Sequence, residues 1–519
     1  MRADLEIGEL TAAAFPHAVR QLRIIETHIS WIVLTGCYAY KIKKPIRYDF
    51  LDAGTLERRR LLCEEELRLN RRFATDLYLD VVALVRENGR LKVGGRGPAV
   101  EYAVRMRQFD PMQELSNQLD EGVVSSLDMA ALATVLAGFH GAAAVAPAES
   151  PFGDPACVRA QMLDNTEVLR RHVKAEDEAA AVRRLEAWLQ ASLVRETPLI
   201  DQRKRTGAVR ECHGDLHAGN IVRWRGAWVP FDCIEFSPEL RFIDVMNDIA
   251  FLYMDLAAHR RRDLGHALLS AYLEQTGDYE GLRLCTMFAV YRALVRAKID
   301  ALAAASAIGA SAEPLFERRR QRIRVAGQLL RDRRPALLIT HGVTGSGKSW
   351  LSERLVAPLP ALRIRSDLER KRLAGVSPLA RTDSGIGEKL YSPDVTGQVY
   401  ARLRRCAAAA LTSGWTVIVD AAFLRAADRH QFGELALERR CPFAILWCHA
   451  DGETLRARVV GRGQSGSDAS EGTLAVLDHQ LATRQDLTAV ELAQTVSIDT
   501  GQPQPADTCI AAIRARLGG

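Results

Sequence analysis

The segment Gly342-Val343-Thr344-Gly345-Ser346-Gly347-Lys348-Ser349 constrains this chain more than any other. It satisfies G-x-x-x-x-G-K-[ST] and follows an apolar run, residues 336–340, that reads as a strand. Its glycines let backbone N–H groups approach phosphate oxygens, and a helix predicted to begin near Lys348 adds positive potential at the same point. In such a cradle, Thr344, Gly345, Ser346 and Gly347 line the phosphates of ATP. Lys348 bridges the β and γ phosphates, and the Ser349 hydroxyl ligates Mg²⁺. A loop of this kind joins a strand to a helix in a parallel α/β sheet. Further strand-like stretches at 362–365, 416–419, 443–447 and 495–498, separated by helical segments, predict that sheet.

About 130 residues earlier stands His213-Gly214-Asp215-Leu216-His217-Ala218-Gly219-Asn220. Phosphoryl transfer needs a base that orients the nucleophile, ligands for the metal on the phosphates, and cations against developing charge. Asp215 suits the first task. Asn220, five residues on, can turn its amide oxygen onto Mg²⁺. Asp232, which closes the apolar run 228–231, suits a further magnesium contact. The competing reading is a turn at His213-Gly214-Asp215 with Asn220 as a helix cap.

With 519 residues the chain exceeds a single core, and 48% hydrophobic residues let each of two to four domains bury its own. A net charge of +6 does not imply a nucleic-acid binder, although it suits anionic substrates. The ten cysteines have no C-x-x-C spacing, which argues against a zinc or thioredoxin-like site and fits a reducing interior. No uncharged apolar run reaches about 18 residues, and the first residues carry no apolar signal core. A cytoplasmic protein without a membrane span is the expectation.

Residues 20–110 hold strand-like stretches at 29–35, 39–42, 81–85 and 100–106 around a helical segment, 56–73, which predicts a small α+β lobe. Residues 125–330 read as mainly helical, with Leu132, Val135, Leu136 and Phe139 at helical spacing, and likewise Ile249, Leu252, Tyr253 and Leu256. The domain boundary is expected at 310–335, and the Arg-rich stretch 317–334 reads as a solvated linking helix. The acidic cluster Glu176, Asp177 and Glu178 reads as a solvated helix face.

A kinase also needs a strand lysine paired with a helix glutamate. Lys41 and Lys43 point to one face of a strand, with Lys41 preferred. Glu66 shares a helix face with Leu62, Leu69 and Phe73, and Glu65 is close behind as the alternative. No G-x-G-x-x-G precedes Lys41; only Thr35-Gly36 does.

The His213–Asn220 loop with Phe231-Asp232 resembles the aminoglycoside phosphotransferase family of protein-kinase-like small-molecule kinases, over roughly residues 25–300. The resemblance implies a bilobal kinase-type fold, with Asp215 catalytic and Asn220 and Asp232 as metal ligands. It also implies that Asp248 buttresses the catalytic loop.

In the phosphate-binding-loop region, Asp367 follows the second strand and could serve as a base, with Arg370 gripping a substrate phosphate. The bland reading is an N-cap, Ser366 or Asp367, opening a charged helix. Asp420 ends an apolar strand in the Walker B manner. Arg456, Arg458 and Arg462 lie near the Gly/Ser-rich stretch 461–470 and could form a lid over the nucleotide. Together these residues resemble the polynucleotide-kinase and zeta-toxin group of P-loop kinases over roughly 335–515, with gluconate and shikimate kinases more distant. The whole chain resembles bacterial proteins described as bifunctional aminoglycoside phosphotransferase and ATP-binding proteins.

The expected architecture is an α+β bilobal protein-kinase-like domain at 1–325, with its small lobe at about 20–110 and its helical lobe at about 111–325. An α/β P-loop kinase domain follows at 326–519. The expected function is a bifunctional phosphotransferase with two ATP sites and Mg²⁺, acting on hydroxyl acceptors that are small molecules, nucleotides or RNA. The alternatives are an ATP-binding regulatory protein with a degenerate first kinase, and a mechanical ATPase.

Overall fold

The computed structural model describes residues 6–48, 51–306, 312–331, 334–376, 392–465, 472–502 and 506–518. The chain packs into two compact units. The first comprises Met1–Val124, Gly138–Asp164 and Leu193–Asp255; the second comprises Ser125–Ala137, Asn165–Ser192 and Leu256–Gly519.

The first unit begins with β1 (Arg23–Glu26), β2 (Ser30–Leu34) and β3 (Tyr38–Lys43), then a short pair, β4 (Arg47–Tyr48) and β5 (Leu51–Asp52). Helix α1 (Leu56–Asn70) precedes β6 (Tyr78–Glu87), β7 (Arg90–Val93) and β8 (Ala99–Arg107). Six of these strands form an antiparallel sheet in the order β1-β2-β3-β8-β6-β7. Alternation along β3 divides its side chains between the two faces. Tyr40 and Ile42 enter a core with Val33, Leu84 and Ala103. Lys41 and Lys43 are buried on the opposite face, towards α1. Thr55 caps α1 by accepting a hydrogen bond from the Arg58 N–H, and the helix buries Cys63, Glu66, Leu69 and Asn70.

The six-stranded sheet has two strands that the sequence reading did not anticipate. β1 is four residues long and largely exposed, so it carries no apolar alternation. β7 returns from β6 through Asn88-Gly89, both at positive φ. That dipeptide is a hairpin signal.

Helices follow: α2 (Leu115–Asp120), α3 (Ser126–Ala142), α4 (Pro155–His172) and α5 (Glu176–Arg205). Next come β9 (Val209–Glu211), the hairpin β10 (Ile221–Trp224) and β11 (Ala227–Pro230), α6 (Pro238–Arg241), β12 (Phe242–Asp244) and α7 (Val245–Ala258). Ile249, Leu252, Tyr253 and Leu256 of α7 are buried, as are Leu132, Leu136 and Phe139 of α3; Val135 is exposed instead.

Three further helices, α8 (Arg262–Thr276), α9 (Leu282–Ser306) and α10 (Glu313–Leu330), belong to the second unit. Its sheet is built from β13 (Leu337–His341), β14 (Ala361–Arg365), β15 (Thr416–Asp420), β16 (Phe443–His449) and β17 (Thr495–Asp499). All five are parallel, in the order β14-β15-β13-β16-β17. The intervening helices are α11 (Lys348–Val356), α12 (Ser366–Leu373), α13 (Pro393–Thr412), α14 (Ala426–Glu438), α15 (Gly452–Ser465), α16 (Leu474–Thr483) and α17 (Ala489–Ala493), with α18 (Ala506–Arg516) last. Leu338, Ile418 and Leu446 of the sheet pack with Leu351 and Leu355 of α11 and with Ile513 of α18.

The Arg-rich helix is not solvated. α10 buries Ile323, Val325, Ala326 and Leu329 and packs along α9, while its Arg319 is buried in an ion pair with Glu178, 2.7 Å away. Glu178 is therefore also withdrawn from the acidic face expected to be exposed. Edge strand β14 lies against α8. Arg363 donates to both carboxylate oxygens of Glu274, at 2.7 and 3.0 Å, and its backbone N–H donates to Ser270 Oγ. Packing thus groups α8–α10 with the parallel sheet, whereas sequence character groups them with the kinase-like region. Among the described residues, no helix is long and apolar enough to cross a membrane.

Candidate functional site

In the first unit, the small-lobe sheet and the loops around β10 and β11 bring five of the expected residues together. Lys41 Nζ donates to Glu66 Oε1 at 2.9 Å and forms an ion pair with Asp232. Asp232 returns to the loop through the hairpin: Ile221 pairs with Pro230, and the Phe231 N–H donates to the Asn220 carbonyl at 2.9 Å. Asn220 Nδ2 donates to both the carbonyl and Oδ2 of Asp215, each at 3.0 Å. The Asn220 atom suited to a metal ion is then its Oδ1.

The loop itself is held from beneath. Asp248 accepts the His213 and Gly214 backbone N–H groups at 2.9 and 3.0 Å, and His140 Nε2 lies 3.1 Å away. Burial opposes the Asp248 charge, but His140 and the His213 N–H hold its carboxyl below the usual range. Gly214 sits at φ +84°, and a Cβ there would lie 2.8 Å from the Leu240 carbonyl.

His213 links two segments. Its Nε2 faces the Phe231 carbonyl at 2.8 Å and must donate, which leaves Nδ1 to accept the Asp215 N–H at 3.3 Å. Burial lowers its pKa, so the ring is neutral. His217 accepts the Gly219 N–H on Nδ1, and its Nε2 lies 3.4 Å from Asp215 Oδ2.

Two charged residues complete the buried cluster. Lys43 forms ion pairs with Glu66 and with Glu235, three residues beyond Asp232. Lys41, Lys43, Glu66 and Glu235 are all buried; the Asp232 side chain is 41% exposed. Burial alone would favour neutral amines, but the neighbouring carboxylates keep both ammoniums charged. Burial likewise pushes Glu66 up, yet the two lysines hold it down to about 2. The cluster holds two cations against three carboxylates, the most exposed of them Asp232. A hard divalent cation fits that surplus and the oxygen donors of Asn220 and Asp232.

Lys43 stands in the sequence as the alternative to Lys41, and Glu235 has no role there. The alternation that puts Lys43 beside Lys41 was visible; the approach of Glu235 from 192 residues away was not. Glu65, the alternative to Glu66, pairs instead with Arg68 and Arg241. The turn between β1 and β2, residues 27–29, has no glycine and is tied by Thr27 and Ser30. Thr35-Gly36 is the next turn, between β2 and β3.

In the second unit, β13 leads into the phosphate-binding loop and α11 leaves it. Gly342 and Gly345 are at positive φ, and a Cβ would meet the Cys448 carbonyl at 2.4 Å and the Leu455 carbonyl at 2.8 Å. Ser346 Oγ is buried and has no hydrogen-bond partner among the described residues. Lys348 Nζ donates to the Val343 carbonyl at 2.8 Å. Asp420 ends β15, which pairs directly with β13, and accepts a hydrogen bond from Ser352 Oγ at 3.0 Å. A narrow backbone cradle, an orphaned hydroxyl at Ser346, and oxygen donors at Ser349 and Asp420 fit a magnesium-bound triphosphate.

Asp367 lies in the first turn of α12, directly after β14. Arg370, on the same helix, is buried and donates to Thr396 Oγ1 at 3.3 Å. Arg458 of α15 turns to the loop's own backbone, donating to the Gly345 carbonyl at 3.4 Å and to Thr500 Oγ1 at 2.9 Å. Arg456 pairs with Asp478. The Arg462 side chain and residues 466–470 lie outside the described residues. Gln480 and Thr500 were not foreseen: Gln480 Oε1 accepts the Thr344 N–H at 2.7 Å, and Thr500 Oγ1 donates to the Ser346 carbonyl at 3.0 Å.

Uncharacterized protein Rv2004c of Mycobacterium tuberculosis is 30% identical over 452 residues, which cover 87% of this chain and 88% of that protein. This chain belongs to its family. Uncharacterized protein Mb2027c of Mycobacterium bovis matches at the same level. A family model described as "AAA domain" matches residues 337–487, the phosphate-binding-loop region. Among solved structures, a choline/ethanolamine kinase family protein from Mesorhizobium loti is 12% identical at a TM-score of 0.38, over 60% of this chain and 88% of that one. Chaetomium thermophilum Kti12 is 15% identical at a TM-score of 0.29, over 36% of this chain and all of that one (100%). A gluconokinase from Sinorhizobium meliloti is 23% identical at 0.25, over 36% and 93%. The layout is the one expected: an α+β region with an antiparallel sheet, followed by an α/β region whose parallel sheet carries the phosphate-binding loop.

Proposed function

We propose that this protein is a bifunctional ATP-dependent phosphotransferase, with functional domains at 1–325 and 326–519 and each acting on a hydroxyl acceptor with Mg²⁺. The observation that carries the reading is the convergence of Lys41, Glu66, Asp215, Asn220 and Asp232 on one side of a chain that also bears a complete phosphate-binding loop.

Bound Mg-ATP supplies the electrophilic γ-phosphoryl group at each site. In the first, Asp215 accepts the proton of the acceptor hydroxyl, its carboxylate oriented by Asn220 and His217. Lys41, held by Glu66, offsets negative charge on the phosphates, and Asn220 and Asp232 would hold the metal. In the second, the loop N–H groups and Lys348 bind the phosphates, Ser349 and Asp420 would hold the metal, Asp367 would take the hydroxyl proton, and Arg370 would grip an acceptor phosphate. The acceptors are small molecules, nucleotides or RNA. Ten cysteines outside any disulfide fit a cytoplasmic setting.

A screen of acceptors with radiolabelled ATP tests this, using Asp215→Ala and Lys348→Ala separately. Each variant should lose transfer to its own acceptors and keep the other set; transfer unaffected by both changes would sink the reading. One observation favours a second reading, an ATP-binding regulatory protein with a degenerate first kinase: the β1–β2 turn carries no glycine. That reading gains if Asp215→Ala alters no transfer at all while nucleotide binding persists.

A further inference from the structure

Lys43 and Glu235 are absent from the chemistry above, yet they are buried at its centre. Lys43 touches two segments at once. Its ammonium pairs with Glu66 of α1 and with Glu235 of the loop that carries Asp232. Lys41, two residues away on the same strand face, pairs with Glu66 and with Asp232 itself. Glu66 therefore bridges two lysines, and each lysine reaches a different carboxylate of residues 232–235.

The 232–235 segment needs such restraint. Asp232 stands at φ +64°, a left-handed conformation that a non-glycine residue holds only when its surroundings impose it. Three backbone contacts contribute. The Asp232 N–H donates to Tyr78 Oη at 3.1 Å, the Cys233 N–H to Asn70 Oδ1 at 2.9 Å, and the Ile234 N–H to the His213 carbonyl at 3.1 Å. The Glu235 side chain supplies a charged contact that ties this segment to β3.

We propose that Lys43 and Glu235 form a second lysine–glutamate clamp, which sets the Asp232 carboxylate for the metal ion while leaving Lys41 to the nucleotide phosphates. The inference rests on the kinase reading of the first site. Lys43 and Glu235 act through Asp232 and Glu66, and are positioning residues. Lys41 has to exchange its contact with Asp232 for the phosphates when Mg-ATP binds. Lys43 has no such exchange to make, because its partners are both buried and neither is an expected metal ligand. The clamp therefore persists through nucleotide entry, and Glu66 stays in place when Lys41 turns.

Glu235→Gln removes the charge on the metal-side partner, keeps its size and leaves the Lys43–Glu66 pair intact. Lys43→Met removes both contacts and leaves Glu66 with Lys41 alone, so it carries the greater risk of misfolding. Both are tested in the full chain in a Lys348→Ala background, which silences the phosphate-binding loop. The readouts are calorimetric binding of the non-hydrolysable analogue AMP-PNP across a Mg²⁺ series, and hydrogen exchange of residues 231–236 in metal-free protein. Glu235→Gln should raise the half-saturating Mg²⁺ concentration by ~10-fold, as loss of a contact behind a metal ligand does. Metal-free binding of the analogue should stay unchanged, and exchange at 231–236 should quicken. A folded Glu235→Gln protein with unaltered Mg²⁺ half-saturation overturns the clamp, whatever the exchange reads. Lys41→Met is the control: if it leaves analogue binding untouched, the kinase reading of this site falls instead.

Discussion

On the proposed reading, the two candidate sites meet the same chemical demand by opposite means. The phosphate-binding loop takes its parts from eight consecutive residues and uses backbone N–H groups, a helix start and one lysine. The kinase-type site draws on segments from 41 to 248 and uses buried side-chain charges that hold one another in place. A contiguous backbone site keeps its fold when charge is lost and fails when its glycines change. A dispersed charged site should do the reverse.

That contrast can be broken first at Glu66. Glu66→Gln leaves two buried ammoniums without their shared partner and should cost ~3–5 kcal/mol of stability, read as a lower midpoint in denaturant melts. Lys348→Ala removes a hydrogen bond to the Val343 carbonyl and should cost far less, ~1 kcal/mol, while abolishing nucleotide binding at its loop. Equal destabilisation by the two would erase the distinction. Below the parallel sheet, Glu274→Gln strips Arg363 of its buried partner. It should destabilise the second unit by a similar ~3–5 kcal/mol, so charge matters there as scaffold, and Arg363 also donates to the Ser349 carbonyl at 3.3 Å.

Gly345→Ala reverses the test. A Cβ would strike the Leu455 carbonyl at a backbone angle that disfavours alanine. The strain of ~1–3 kcal/mol should weaken nucleotide binding at the loop by roughly 10–100-fold with little change in the first site. Unchanged affinity would mean that the cradle is not shaped as described.

The smallest effect is in pH. The Glu66 carboxyl is held at about 2 in the fold, against an ordinary value near 4.5. A lowered carboxyl stabilises fully above its unfolded value and loses that contribution as pH falls through the folded value. Unfolding of the first unit should therefore steepen with acid between about pH 4.5 and 2, and Glu66→Gln should flatten that limb. An identical acid limb in both proteins would remove Glu66 from the account.

How much could be read from the sequence follows the same division. The phosphate-binding loop was legible because its spacing is local, and its parallel sheet followed from alternating strands and helices. Lys41 and Glu66 were reachable through strand and helix periodicity. Lys43 could be seen to share Lys41's face, but its partner Glu235 could not, because the two meet across 192 residues. The exposed strand β1 carried no pattern to read. The Arg-rich helix α10 was misread because charge dominated its composition. Its apolar stripe of Ile323, Ala326 and Leu329, and the pairing of Arg319 with Glu178, become apparent only with tertiary contacts.

The central claim is two nucleotide sites of different construction on one chain. Calorimetric titration of the full protein with AMP-PNP and Mg²⁺ counts them directly. The account predicts two sites in the natural sequence, one in Lys348→Ala, one in Lys41→Met and none in the double variant. A single site, lost entirely with Lys348→Ala and untouched by Lys41→Met, would contradict it.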